Sequence, residues 1–391
     1  MAVSQDEFLH ATFDKTVTLG TQEVNLKGKF LFCWPYAWEE NTNWDIIHQV
    51  TQSVTNWVQT RFSQANVESQ HIESSVLFAF YNSPSAWRQL SSEDPSVYAK
   101  LILYSKVMHL LFHIDDTTEA EVGEDHHGTY IMSIGRTINN ILQYQFDTID
   151  DLKKDELYLK IAQISEPAGM FMELLHDCAI DLKIHFGVTQ DLGKYFARTA
   201  AYCYVMQTWC GDKDLLHLLN PYTQYHMRVH TGGVRSIYEM VFLLERIYIP
   251  KSVRENPFWI RCLEVAGFLS VRSNDIIGVE KEWRQKERTG KRVDNVIFHY
   301  MEATNCTFEE AVSRGLRKHN FALKEFYDFF EFFKSNQDCL YELSEEEKQI
   351  FMESTFIMSE CVACNIQGQV LMRRYNSHLE FNFERSSITM H

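Results

Sequence analysis

The chain is poor in the residues that interrupt helices. It has only 7 Pro and 16 Gly in 391 residues. A protein of many short strands needs frequent turns, so this scarcity argues against one and favours long helices. No run of 18 or more apolar residues occurs, which excludes a membrane-spanning helix. Positive charge is also scarce: 37 Lys and Arg stand against 53 Asp and Glu, a net charge of −16. With no basic stripe to neutralise phosphates, a nucleic-acid partner is not expected. The first residues, MAVSQDEFLHATFDK, lack the basic and apolar regions of a secretion signal, so a cytoplasmic protein is expected. The nine Cys are dispersed and odd in number, which reads as reduced thiols. Cys361 and Cys364 form a lone CxxC within a helical stretch and read as core residues.

What the chain does have is aromatic and helical. Phe, Tyr and Trp make up 14% of it, which suits a large core or an apolar pocket. From Trp44 onward the apolar period is that of a helix, through Ile47, Val50, Val54 and Trp57. Residues 97–116 and 256–284 are long and apolar on more than one face, as buried or cavity-lining helices are. A third long helix is expected over 347–375. Thr16–Leu19 and Val24–Leu26 alternate instead and read as an extended arm within residues 1–30. The charged stretches 119–128 and 147–155 read as exposed loops, with Asp150 and Asp151 at a capped surface helix start. There is no internal repeat and no linker. The fold class expected is all-α, one helical domain over 31–391 around an apolar cavity.

Four clusters carry chemistry. The first is Asp115-Asp116-Thr117-Thr118-Glu119. Asp115 and Glu119 are four apart and share a helical face with Asp116 beside them. Such hard oxygen donors suit Mg²⁺, which keeps waters and shares phosphate oxygens. Phe112, Leu111, Met108 and Tyr104 run back from Asp115 along that face, an apolar and aromatic wall below a carboxylate rim. The second cluster is Asn274-Asp275-Ile276-Ile277-Gly278-Val279-Glu280-Lys281-Glu282, in which Asn274, Gly278 and Glu282 form one helical stripe. Gly267, Ser270 and Val271, upstream on the same side, are small enough to leave room for a substrate. The third is Arg228 with Thr231-Gly232-Gly233, where adjacent glycines break a helix and free carbonyls at its end. The last is Arg374-Tyr375, a planar cationic fork and a hydroxyl.

Each cluster alone is weak, and each has a plain alternative as a polar helix end or a surface patch. Their order and spacing, with Arg228 lying 46 positions before Asn274, resemble the class I terpene synthases of the compact microbial or soft-coral type. The resemblance covers residues 115 to 375. It implies that three Mg²⁺ ions (Mn²⁺ as a substitute) draw diphosphate from a prenyl chain and that the carbocation then cyclises. By the same resemblance Asp115, Asp116 and Glu119 would hold two ions, and Asn274, Gly278 and Glu282 the third. Gly278 stands where Ser or Thr is common, so a water would fill that place. Arg228 would sense the diphosphate, Thr231 would be the linker residue and Gly232 the effector. Lys281, Arg374 and Tyr375 would clamp the leaving group. Tyr104, Met108, Leu111, Phe112, Gly267 and Val271 would line the substrate cavity. Thr231 departs from the acidic linker of many relatives. Gly368 stands where many carry an aromatic residue, which would enlarge the pocket and favours a C20 over a C15 substrate. A diterpene cyclase using geranylgeranyl diphosphate is therefore expected. A sesquiterpene cyclase using farnesyl diphosphate, a chain-elongating synthase and a catalytically silent scaffold stay open, as does a homodimer.

Overall fold

The computed structural model of the protein describes residues 8–33, 42–61, 69–89, 94–121, 127–211, 221–290, 293–372 and 380–385. The arm is extended, as its alternation predicts. β1 (Phe8–Leu19) and β2 (Gln22–Cys33) pair antiparallel with Leu19 opposite Gln22, so the extended segment runs past residue 30. Gly20 in the turn has φ +68°, a left-handed conformation that a Cβ disfavours. β3 (Asn382–Arg385) joins the other edge of β1, giving the order β2-β1-β3. Alternate residues Ala11, Phe13, Val17 and Leu19 are buried, and Lys15 takes the inward place between them to pair with Glu280 at 3.0 Å.

The rest is helical. In chain order come α1 (Trp44–Arg61), α2 (Ser69–Tyr81), the single turn α3 (Ser85–Arg88), α4 (Pro95–Glu121) and α5 (His127–Leu142). They are followed by α6 (Ile149–Lys154), α7 (Glu156–Ile164), α8 (Glu166–His185) and α9 (Gln190–Gly211). Next are α10 (Pro221–Thr231), α11 (Val234–Leu244), α12 (Lys251–Glu255) and α13 (Pro257–Ile277). Last are α14 (Val279–Thr289), α15 (Val296–Thr304), α16 (Phe308–Ser335) and α17 (Glu345–Leu371). Among the described residues no helix is long and apolar enough to cross a membrane.

Residues at the helix starts explain the boundaries. The Asn256 side chain accepts from Phe258 N, and Pro257 opens α13, where no donor is needed. Thr307 with Glu310, and Ser344 with Glu347, form reciprocal capping boxes at α16 and α17. Thr148 caps α6, so most of the stretch 147–155 is a capped helix and not a loop, with Asp150 and Asp151 in its first turn. Helix α4 likewise reaches Glu121, inside the stretch expected to be a loop. The long helix expected over 256–284 is divided at Gly278, and the one expected to reach 375 ends at Leu371, where Met372 turns to ψ 121°.

Helix α13 packs on α16 and α17, α2 lies against α4 and α17, and α5 lies along α9. The hairpin belongs to the same core. Phe13 stacks on Phe30 at 5.4 Å, and both meet the edge of Phe381 or its tilted face. Each such pair adds about 0.5–1.5 kcal/mol beyond area burial. Asn320 of α16 serves the open edge of β2: its Oδ1 accepts from Leu31 N at 2.9 Å and its Nδ2 donates to the Lys29 carbonyl at 2.9 Å.

The neighbouring His319 is buried with its ring edge 5.1 Å from Phe30. Burial pulls its imidazole down to about 4, against an opposing hydrogen bond with Asn320. In the unfolded chain it titrates near 6.5. Above that pH both states are neutral and stability is full. Between about 6.5 and 4 the unfolded state binds the extra proton, so stability falls as pH falls, by on the order of 3 kcal/mol. Urea unfolding at about pH 7.5 and pH 4.5 measures this loss, and His319→Leu is expected to lessen it. An equal loss in both proteins would mean that another group is responsible.

Candidate active site

The first cluster sits on the last turns of α4. Tyr104 and Met108 are fully buried below it, while Leu111 and Phe112 are half-buried. The Tyr104 hydroxyl donates to the Asn82 carbonyl at 3.2 Å, and Phe112 stands edge-on to Phe78 at 5.0 Å. Helix α9 grips this end of α4 from one side. Tyr204 donates to the Leu111 carbonyl at 2.9 Å, and Gln207 Nε2 donates to Asp115 Oδ1 at 2.6 Å. A bond to a carboxylate is charge-assisted and fixes the plane of the Asp115 group. Asp116 is half-buried beside it; the side chains of Thr117, Thr118 and Glu119 lie outside the described residues.

The second cluster spans the junction of α13 and α14. Gly278 lies between the two helices at φ −80°, yet its N–H bonds the Asn274 carbonyl at 2.7 Å and its carbonyl accepts from Glu282 N at 3.0 Å. Two helical bonds thus run across the junction along Asn274, Gly278 and Glu282 and keep these three on one stripe, as the spacing predicts. Glu282 is buried, and that burial, with Asp275 nearby, raises its carboxyl well above the usual carboxylate range. Lys281 is half-buried, and its charge favours the ionised form of Glu282. Asn295, the cap of α15, donates from Nδ2 to Glu282 Oε2 at 2.6 Å and to the Asp275 carbonyl at 2.7 Å.

Arg228, near the end of α10, points at this cluster. Its Nε and Nη2 donate to Asp275 Oδ1 at 3.0 and 2.9 Å, and Nη2 lies 3.4 Å from Asn274 Oδ1. Burial opposes the guanidinium charge, but Asp275, Asp294 and Glu282 outweigh it and keep Arg228 charged. The helix breaks where the glycines predict: α10 stops at Thr231, Gly233 has φ +67°, and α11 begins at Val234. The expectation of free carbonyls there is corrected for three of them. Arg228 O accepts from Gly232 N at 3.0 Å and His230 O from Gly233 N at 3.2 Å, while Thr231 O takes the Cys203 thiol at 3.0 Å. The Thr231 hydroxyl reaches Asp294 at 3.4 Å, and Asp294 also meets the buried His299 at 3.2 Å. A carboxylate therefore stands beside this break, although residue 231 itself is not acidic.

The small residues allow close packing rather than open space. A Cβ on Gly232 would stand 2.3 Å from Val271 Cγ1, and one on Gly267 would meet Val229 Cγ1 at 3.0 Å. Their absence lets α10 lie directly on α13. Gly368 is corrected in the same way. A Cβ there would lie 2.8 Å from Tyr81 Cβ, so α2 occupies the space next to Gly368. Asn365 and Gln369 of α17 bond Ser273 Oγ and the Ser270 carbonyl of α13, both at 3.0 Å. Arg374 and Tyr375 lie outside the described residues.

Helix α9 brings the clusters together. Cys203 and Gln207 are four apart on one face of it; the first bonds Thr231 and the second bonds Asp115. The Cys203 thiol is raised by burial first and by Asp115 second, and Arg228 lowers it, so both charges act on one buried sulfur. Sequence reasoning did not find Gln207, Asp294 or Asn295. Only the N-cap place of Asn295, ahead of the apolar run from Val296, is visible along the chain.

The donor set fits a hard cation. Among the described residues no group of three or more His, Cys, Asp and Glu is arranged to hold a metal by itself. Mg²⁺ rarely requires one: it takes one or two carboxylates and completes its shell with waters and substrate phosphate oxygens. Asp115 and Asp116 on one side, and Asn274 with the buried Glu282 on the other, supply donors of that kind.

A family profile described as "Terpene synthase family 2, C-terminal metal binding" matches residues 106–325. No curated protein matches the chain significantly. Among solved structures, germacradien-4-ol synthase from Streptomyces citricolor is similar at 13% identity, with a TM-score of 0.62 over 85% of this chain and 97% of that one. Wild-type cucumene synthase is similar at 12% identity, with a TM-score of 0.60 over 85% and 98%. The SVS_A2 protein from ancestral sequence reconstruction is similar at 13% identity, with a TM-score of 0.59 over 84% and 86%. At these identities the likeness establishes the all-α fold, and the profile, which spans more than half of the chain, establishes the relationship: the protein belongs to the terpene synthase family.

Proposed function

We propose that the protein is a Mg²⁺-dependent terpene cyclase that ionises a linear prenyl diphosphate and closes the carbocation into rings. The observation that carries this reading is the grip of α9 on both sides of the site, Gln207 on Asp115 and Cys203 on the break beside Arg228. It supports a diphosphate position flanked by Asp115 and Asp116 on one side and by Asn274 and Glu282 on the other. Mg²⁺, held there by these groups, would neutralise charge on the leaving diphosphate. Arg228 and Lys281 add fixed cations, and in a site shielded from water such charges act with little screening. Arg374 and Tyr375 complete the clamp in this reading. Below the carboxylates, Tyr104, Met108, Leu111 and Phe112 form the apolar wall. Aromatic faces there would attract a passing carbocation by about 1–2 kcal/mol each when desolvated.

The case for a C20 substrate leaned on Gly368, and Tyr81 now occupies that space. Chain length is therefore put directly to experiment. Purified protein is incubated with geranyl, farnesyl or geranylgeranyl diphosphate, with and without Mg²⁺, and extracts are read by gas chromatography–mass spectrometry. A Mg²⁺-dependent cyclic product from one of them supports the proposal and sets the chain length. Longer prenyl diphosphates on addition of isopentenyl diphosphate would move the chain to the elongating class, and silence throughout would defeat the reading.

A further inference from the structure

Asn295 has more polar contacts than a helix cap needs. Its side chain is fully buried and uses both ends. Oδ1 accepts from Ile297 N at 2.8 Å, which is the capping bond of α15. Nδ2 has two hydrogens and two acceptors: Glu282 Oε2 at 2.6 Å and the Asp275 carbonyl at 2.7 Å. A cap requires only the first bond. The other two span the ends of the segment 275–282 and hold the Glu282 carboxylate by one oxygen. The neighbouring backbone repeats the pattern, since Val296 N donates to Asp275 Oδ2 at 3.3 Å. Asp275 in turn anchors Arg228.

We infer that Asn295 is a positioning residue for a divalent cation at Glu282. One Glu282 oxygen is committed to the amide, so the orientation of the carboxyl group is restrained before any ion arrives. A ligand oriented in advance loses less freedom on binding, and removing such a support costs about 10–100-fold in metal affinity. The same amide joins the metal segment to the strand of chain entering α15, whose Asp294 bonds Thr231 at the helix break. Movement of Glu282 would thereby reach α10. This inference rests on the proposed Mg²⁺ and diphosphate chemistry.

The test uses the full chain and separates the capping role from the positioning role. Asn295→Ser keeps a side chain oxygen able to cap α15 and removes both Nδ2 bonds; Asn295→Asp keeps shape and cap and sets an acceptor against Glu282. The melting temperature is followed while Mg²⁺ is titrated in the presence of inorganic diphosphate. The wild-type protein is expected to be stabilised. Asn295→Ser is expected to need about 10–100-fold more Mg²⁺ for half of that shift, and Asn295→Asp more still. Activity assays are expected to show the same displacement in Mg²⁺ half-saturation, with most of kcat regained at high Mg²⁺ in Asn295→Ser. Unchanged Mg²⁺ half-points in both variants would overturn the inference and leave a cap alone. A wild-type protein unmoved by Mg²⁺ with diphosphate would overturn the metal reading itself, and the inference with it. If Asn295→Ser is too unstable to titrate, the Asn295→Asp half-point decides.

Discussion

Arg228→Ala is expected to weaken the fold as well as stop the reaction. The Arg228 side chain is 17% exposed and that of Asp275 is 1% exposed, and they meet at 2.9 Å. Removing one member of such a pair leaves the other charge buried without its hydrogen-bonded partner and costs about 3–5 kcal/mol. Loss of turnover in Arg228→Ala would therefore be ambiguous, since a destabilised site is also an inactive one. Removing both charges separates the two effects. In Arg228→Met/Asp275→Asn neither member of the hydrogen-bonded pair is left charged without the other, and the amide oxygen of the second substitution can still accept from Val296 N, as Asp275 does at 3.3 Å. Urea unfolding of this double variant is expected to recover at least half of the lost stability, because a buried ion pair is often replaceable without net loss. Turnover is expected to stay lost, since the fixed cation near the diphosphate is gone. Recovery of turnover together with stability would make Arg228 a structural partner of Asp275 and nothing more.

That pair also shows how far a sequence can be read. Spacing along a helix says which residues share a face; it does not say what the face meets. Asn274, Gly278 and Glu282 were legible as one stripe, and the capping boxes at Thr307 and Ser344 follow the same local logic. The break at Gly232-Gly233 was legible because two glycines have few other uses within a helical run. Asp275 sits off the stripe, and its role as counter-charge to Arg228 depends on α10 crossing α13, a contact between segments 47 residues apart. Gln207 is more remote still, 92 residues from Asp115.

Two readings went astray for one physical reason. Gly368 suggested a void because a side chain was missing, and the broken helix suggested free carbonyls because their usual partners were missing. Interiors are close-packed and buried polar groups find partners, so neighbouring groups filled these absences. Tyr81 of α2 took the first place, and Cys203 of α9 took the Thr231 carbonyl. A residue's absence predicts that something else approaches; only the fold says what.

Asp115→Ala is expected to have the opposite profile to Arg228→Ala, with activity lost and the fold kept. Asp115 is half-buried near the end of α4, and Gln207 donates to it there. Losing a bond to a charged group costs about 1.5–3 kcal/mol, and the partly solvated place puts Asp115 toward the lower end. Turnover is expected to fall by roughly 10³-fold, on the scale of removing one electrostatic partner of the developing negative charge, because the ion on this side of the diphosphate loses its ligand. Gln207→Leu provides the graded control. It leaves the Asp115 carboxylate in place without its orienting donor, and about 10–100-fold in Mg²⁺ affinity is expected to be lost. The two variants should then differ in kind: raised Mg²⁺ restores Gln207→Leu and fails to restore Asp115→Ala. Single-turnover rates across a Mg²⁺ series, with melting temperatures alongside, measure both. If Asp115→Ala turned over at a near-normal rate, the carboxylate rim of α4 would be a solvated helix end, and any metal would have to be held by the Asn274 and Glu282 side alone.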